Sequence, residues 1–409
     1  MEDPPTASGP SGSRPSSLGP ASSPRGSASN PGPAAPQPEP QARPVPRGRG
    51  FRISVALVTA ASILVHLSAF YAAESSFDLE TWRIAAGSFL EDGDFYRAAY
   101  QAQRILERQY FVYPPLWGLT LYPFHPLVDS ELLFNFTVRI LLMLFNLAVG
   151  FQLLRSFRAG LGAFTLWMLN PFTIGIAQAG NFDILPAYLS LLSYRWLKPG
   201  TYDRSALALG LGIGYKLYPA MFLPLLLRGV PGPKARLRYM ALASSIPCLS
   251  SLAYLAYSPF FIPSFTEGNA GRISAPSTYI YMGLFMIVLL YAWFRRVGIL
   301  ESILLALLPF YLVIPAYNQY YIWMLPLLLA WLSRSGNILD AGAALTLLSA
   351  LTLRRYLNYL TGKLMTLQPY ATVFNTVVAI LIYASIALIL IRVLSTEISE
   401  VKGSWENLL

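Results

Sequence analysis

A chain of 409 residues with 55% hydrophobic and only 12% charged residues lies far from soluble composition, in which about a quarter of residues are charged. Together with a positive mean hydropathy this predicts an all-α polytopic membrane protein and excludes an ordinary globular enzyme. The net charge of +10 does not argue for a nucleic-acid partner, because the basic residues sit at the ends of apolar stretches rather than on one patch.

Residues 1–50 hold 13 of the 32 prolines and no Phe, Tyr, Trp or Ile. Such a segment buries too little apolar surface to offset its chain entropy, so it reads as a disordered, Pro/Ser/Gly-rich tail. Its end, from Arg43 through Arg47 and Arg49 to Arg52, is basic and precedes an apolar run to Ala73. A signal peptide would place a short apolar core directly after a basic start, which is not the pattern here. Flanking positive charge instead predicts a cytoplasmic tail, and therefore an extracytoplasmic first loop over 74–112.

That loop is the chain's acidic centre: residues 74–110 carry seven of its twenty Asp and Glu. Asp78 opens a stretch in which Leu79, Trp82, Ala86 and Phe89 recur at helical spacing, predicting an amphipathic helix lying along the membrane surface and ending at Glu91-Asp92-Gly93-Asp94. The plainer role for Asp78 is an N-cap, which typically contributes about 1 kcal/mol. The sharper one is a carboxylate that handles protons.

Further apolar stretches near the roughly 20 residues that cross a bilayer recur at 132–154, 160–177, 182–197, 204–227, 237–262, 277–298, 299–317, 319–333, 336–353 and 371–394, with a shorter one over 113–127. About 11–12 spans are expected, several broken by proline, ending in a short tail over 395–409. Tyr110, Tyr113, Trp117, Trp196, Tyr239, Trp293 and Trp323 stand near span ends and read as interfacial anchors. Arg228–Arg238, Arg295-Arg296 and Arg392 are assigned to the cytoplasmic side.

Polar groups interrupt these stretches at Asn170-Pro171, Gly180-Asn181-Phe182-Asp183 and Tyr215-Lys216-Leu217-Tyr218-Pro219. An ionisable group at membrane depth costs on the order of 2.5–3.5 kcal/mol and faces a cavity or a partner. For Lys216 the readings are a snorkelling side chain, an ion pair with Asp183, or a cation for a lipid phosphate. Arg139 and Asn146, seven apart, share a helix face and form a polar packing seam. Gln319-Tyr320-Tyr321-Ile322-Trp323 offers aromatic anchoring or sugar contact, and Glu267 and Arg272 mark a later outer loop. His66 and His125 lack metal-binding spacing, and the single Cys248 permits no intrachain disulfide. Gly210, Gly212 and Gly214 lie inside an apolar span, where small residues allow close helix packing rather than cradling a nucleotide.

In this order the pieces resemble the GT-C superfamily of membrane glycosyltransferases, especially the GPI mannosyltransferase I catalytic subunits and related prokaryotic polyprenyl-phosphate-mannose-dependent mannosyltransferases. The resemblance covers about 51–394 and rests on Asp78, Asp94-Phe-Tyr96, Tyr113-Pro-Pro, Asn170-Pro171, Gly180-Asn181-Phe-Asp183, Tyr215-Lys216-Leu-Tyr218-Pro219 and Gln319-Tyr320-Tyr321-Ile-Trp323. It implies a GT-C-like bundle that transfers mannose, with inversion, from a polyprenyl (dolichyl) phosphate to a lipid-linked acceptor on the extracytoplasmic or lumenal face. Asp78 becomes the catalytic base. Lys216, Tyr218, Glu80, Tyr113, Asn181, Asp183, Arg272, Gln319 and Tyr320 become candidates for the donor phosphate or substrate. The family's Asp-x-Asp is here Asp78-Leu79-Glu80, which leaves open whether a divalent ion, Mg or Mn, joins Asp78 and Glu80.

The implied partners are membrane lipid, the lipid donor and acceptor and, by analogy, a small membrane subunit. The implied site is the cell membrane in a prokaryote or the endoplasmic reticulum in a eukaryote. A multi-pass transporter or flippase is the alternative, which two mirrored halves would favour. The one acidic loop near the N-terminus has no matching loop in the second half and argues for a single fixed site, and a noncatalytic scaffold is the third reading.

Overall fold

The computed structural model describes residues 48–406 except 74, 107–110, 157–159, 267–274, 296, 315–317, 336 and 364–367. The chain is all-helical over these residues, and they fall within one compact unit, Pro38–Leu409. Among the described residues five helices are long and apolar enough to cross a membrane: Arg49–Tyr71, Glu131–Arg155, Pro233–Tyr257, Pro276–Arg295 and Thr372–Ser395. A sixth span is formed if the pair Gly160–Met168 and Pro171–Gln178, bent by 47°, counts as one. The protein is thus polytopic, with Arg49 and Gly50, expected in the tail, already inside the first helix.

In chain order the helices are α1 (Arg49–Ala72), α2 (Phe77–Gly87), α3 (Phe95–Leu106), α4 (Pro115–Thr120), α5 (Glu131–Ser156), α6 (Gly160–Met168), α7 (Pro171–Gln178), α8 (Ile184–Trp196), α9 (Tyr202–Tyr215) and α10 (Leu223–Leu226). They continue with α11 (Pro233–Tyr257), α12 (261–266), α13 (Pro276–Arg295), α14 (Ile299–Val313), α15 (Leu325–Ser335), α16 (Ile338–Lys363) and α17 (Gln368–Glu406). Several expected spans are therefore helices too short to cross alone, since 13 residues in α8 extend only about 20 Å against a hydrocarbon core of about 30 Å.

Proline explains the breaks. Asn170 caps α7 by accepting from the Phe172 amide at 2.8 Å, and Pro171 supplies a first turn that needs no N–H. The expected span at 204–227 ends at Lys216, whose backbone is extended (φ −156°, ψ 141°), and Pro219 and Pro224 then keep the following turns short. At the second of these breaks the Lys216 side chain is buried.

Polar seams join the helices. Arg139 on α5 donates to the carbonyls of Gln178 at 2.8 Å and Phe70 at 3.3 Å, tying α1, α5 and α7 together. Asn146 meets His66 at 3.0 Å, and His66 also pairs with the Ser62 carbonyl at 2.8 Å, so that histidine is a satisfied buried group. Trp117, Tyr239 and Trp323, expected as interfacial anchors, are buried in the protein, whereas Trp293 is exposed. Tyr110 lies outside the described residues.

Candidate active site

The first loop folds back onto the bundle. Ser76, not Asp78, caps α2: its Oγ accepts from the Leu79 amide at 3.2 Å and donates to the Ala179 carbonyl at 2.6 Å. One hydroxyl thus both starts the helix and docks it on the turn after α7. Trp82 adds a second clamp, with Nε1 donating to the Gly180 carbonyl at 2.8 Å. Leu79, Trp82 and Ala86 are almost fully buried, so this apolar face is covered by protein rather than turned to lipid as expected.

Gly180 makes the close approach possible. Its φ of +74° is one L side chains rarely adopt, and a Cβ there would stand 2.5 Å from Leu79 Cγ. Asn181 is buried in the same turn, its amide bonded to the Ile176 carbonyl at 3.1 Å. Phe182 then stacks on Trp117, centroids 4.7 Å apart and planes 8° apart.

Asp183 follows and is nearly inaccessible. One oxygen, Oδ1, accepts from Lys216 Nζ at 2.6 Å and from Trp323 Nε1 at 2.5 Å. Thus the ion-pair reading of Lys216 holds in the structure. Its ammonium stands 5.0–5.5 Å from four ring centroids, those of Tyr113, Phe182, Tyr320 and Trp323. At that range each ring face attracts a cation, and the box replaces water around a buried charge. Tyr218 completes the wall by stacking on Trp323 at 4.1 Å.

Tyr113 also touches Phe182, at 4.9 Å, and its carbonyl accepts from the Tyr96 hydroxyl at 2.7 Å. Gln319 is half-buried in the same 3-10 turn as Tyr320 and Trp323. Arg272 and Glu267 lie outside the described residues.

Among the described residues Asp78 makes no side-chain hydrogen bond, although it is only partly exposed. Burial pushes its carboxyl up to about 6, the charge of Asp183 adds to the rise, and Lys216 opposes it. The second carboxylate acting on Asp78 is therefore Asp183, which is 105 positions away in sequence, rather than Glu80. Glu80 is held by Arg83 through bonds of 3.0 and 3.1 Å, and Arg83 also reaches the Val128 carbonyl. Glu80 is thus engaged by Arg83, and no group of three His, Cys, Asp or Glu side chains that could hold a metal ion gathers among the described residues.

Trp323 and Phe182 are the site residues that sequence reasoning quoted in motifs without assigning them a role there. Phe182 stands between Asn181 and Asp183 inside an apolar stretch, and Trp323 closes the Gln319-Tyr320-Tyr321-Ile322 run that reads as an anchor or a sugar contact. What was missing was the chain reversal that brings them to Lys216.

The chain is similar to the catalytic subunit of GPI alpha-1,4-mannosyltransferase I from Danio rerio, 31% identical over 166 residues. The match covers 39% of this chain and spans 41% of that protein's length. It supports a mannosyltransferase relationship. No protein-family model matches the chain, and no solved structure matches it.

Proposed function

We propose that this protein is an inverting GT-C-type mannosyltransferase, moving mannose from a polyprenyl-phosphate donor to a lipid-linked, GPI-precursor-like acceptor at the extracytoplasmic or lumenal face. The observation that carries the reading is Asp78, a carboxyl with no side-chain hydrogen bond among the described residues, held at the start of α2 beside a buried fixed cation.

A general base works best with a pKa near the operating pH, and a carboxyl raised to about 6 is better matched than one near 3.8. Asp78 takes the acceptor hydroxyl proton as that oxygen bonds to the anomeric carbon. The carbon–oxygen bond to the leaving phosphate breaks with its electron pair going to the phosphate. Attack opposite the leaving group inverts the centre, by the geometric logic of inverting glycosidases.

Lys216 is the charge that offsets the developing negative phosphate. Asp183 occupies one direction of its ammonium, which leaves two further N–H donors. The aromatic box restrains it, so little reorganisation accompanies the reaction.

The test is transfer of radiolabelled mannose from polyprenyl-phosphate mannose to a host lipid extract by purified protein. Wild type makes a labelled lipid, and Asp78→Asn makes at least a hundredfold less, within the range of about 10²–10⁴ that general bases contribute. Undiminished turnover by that variant removes Asp78 from the chemistry. No product from folded wild type, across several donors and acceptors, overturns the assignment.

A further inference from the structure

The break between α6 and α7 opens a groove of about 530 Å³ against α16. That volume falls within the range of ligand pockets. Leu166, Leu169, Leu345, Leu348 and Leu353 dominate its wall, with Ser349 among them. Two adjacent arginines, Arg354 and Arg355, stand on α16 at one end of this run. Neither has a carboxylate partner among the described residues. Arg355 donates to the Gly175 carbonyl on α7, and Arg354 stands beside the Tyr321 hydroxyl.

Half-buried cations without a carboxylate are costly within an apolar bundle, and such residues mark an anion or substrate path. Their level in the bundle indicates which anion. At the other end of α16, Asp340 pairs with Arg392 at 2.8 Å, and positive charge there suits the cytoplasmic side. Arg354 lies fourteen residues further, about 21 Å along the helix axis, towards the opposite face. On α7, Gly175 lies five residues before Gly180, the turn that holds α2. Tyr321 adjoins Tyr320, whose ring faces Lys216.

We infer that the groove between the bent α6–α7 pair and α16 seats the isoprenoid chain of a polyprenyl-phosphate lipid, with Arg354 and Arg355 drawing its phosphate toward the Lys216 site. The choice of a polyprenyl phosphate over another lipid anion rests on the transferase reading above. The α16 wall of the groove extends from Leu353 and Tyr356, which flank the arginines in sequence, back to Leu345. With Arg392 on the cytoplasmic side, this is the direction a chain takes from a phosphate at the outer face. Arginine suits the head because its planar fork binds phosphate oxygens in pairs.

The test uses full-length protein in detergent with a polyprenyl phosphate carrying a photoreactive group in its chain. Wild type is labelled within 165–171 and 345–356. Ser349→Phe fills the groove, and Arg354→Gln removes one charge; each lowers labelling at least tenfold while thermal melting shows the protein folded. Excess unlabelled polyprenyl phosphate competes. Labelling confined to other segments overturns the inference, and this readout needs no variant. Equal competition by uncharged polyprenol, by phosphatidylglycerol or by inorganic phosphate also overturns it, by removing the need for the charge, the isoprenoid or the chain. Mannosyl transfer separates the two ideas: transfer without groove labelling leaves the enzyme and discards the groove, and groove labelling without transfer does the reverse.

Discussion

Two carboxylate–cation pairs are tied to α2 and its dock, and they differ in almost everything except geometry. Glu80 and Arg83 are three residues apart on one helix, partly exposed, with a closest approach of 3.0 Å. Asp183 and Lys216 stand just before α8 and just after α9, are nearly sealed from solvent, and meet at 2.6 Å. The first pair keeps much of its hydration and is worth about 0.2–1 kcal/mol, as surface pairs are. Loss of one partner in the second leaves a stranded charge, which costs about 3–5 kcal/mol. The lesson is that the local pair fixes a side chain on the loop, whereas the distant pair builds the electrostatic surroundings of Asp78.

The sharpest way to break this contrast is Asp183→Ala. It strands Lys216 and frees the Trp323 indole, so a loss of about 3–5 kcal/mol is expected in chemical or thermal unfolding, and Lys216→Met added on top should restore part of it. Additive losses in the double variant would show that the two side chains do not act as a pair.

Asp78→Asn should act in the opposite direction on stability. Its carboxyl is raised from 3.8 to about 6 in the folded protein, so between those values the folded chain holds the proton more tightly than the unfolded one. Folding is then disfavoured progressively as pH rises through this window, by up to about 3 kcal/mol above pH 6. The Asn variant escapes this cost: it should melt higher than wild type at pH 7.5, with the difference fading by pH 3.5. A lower melting point at pH 7.5 would mean that the carboxylate contributes to folding.

Gly180→Ala probes the dock itself. The added methyl meets Leu79 and strains a left-handed backbone, for an expected loss of roughly 1–3 kcal/mol in unfolding and a larger proportional loss of transfer, as α2 shifts. Smallest is Glu80→Gln, which should change stability by no more than about 1 kcal/mol and leave the pH dependence of Asp78 in place. A shift of the melting difference between wild type and Asp78→Asn in a Glu80→Gln background would join Glu80 to the site.

Membrane residence was written in the sequence, because span length and apolar composition are properties of consecutive residues and the bilayer selects on them directly. So was the acidic first loop with a helix near its start, although the sequence offered Asp78 as the cap where the structure uses Ser76. The number of helices able to span alone was less legible, since α8, α14 and α15 are apolar enough to pass for spans while proline and packing keep them short. Which carboxylate neighbours Asp78 was decided only by tertiary structure. The sequence left open whether Glu80 joins it, since residues two apart diverge on a regular helix, and the turn at Gly180 brings Asp183 in. Burial, and with it the raised proton affinity of Asp78, arises from chains far apart in sequence closing around one carboxyl, a condition that no local pattern of residues contains.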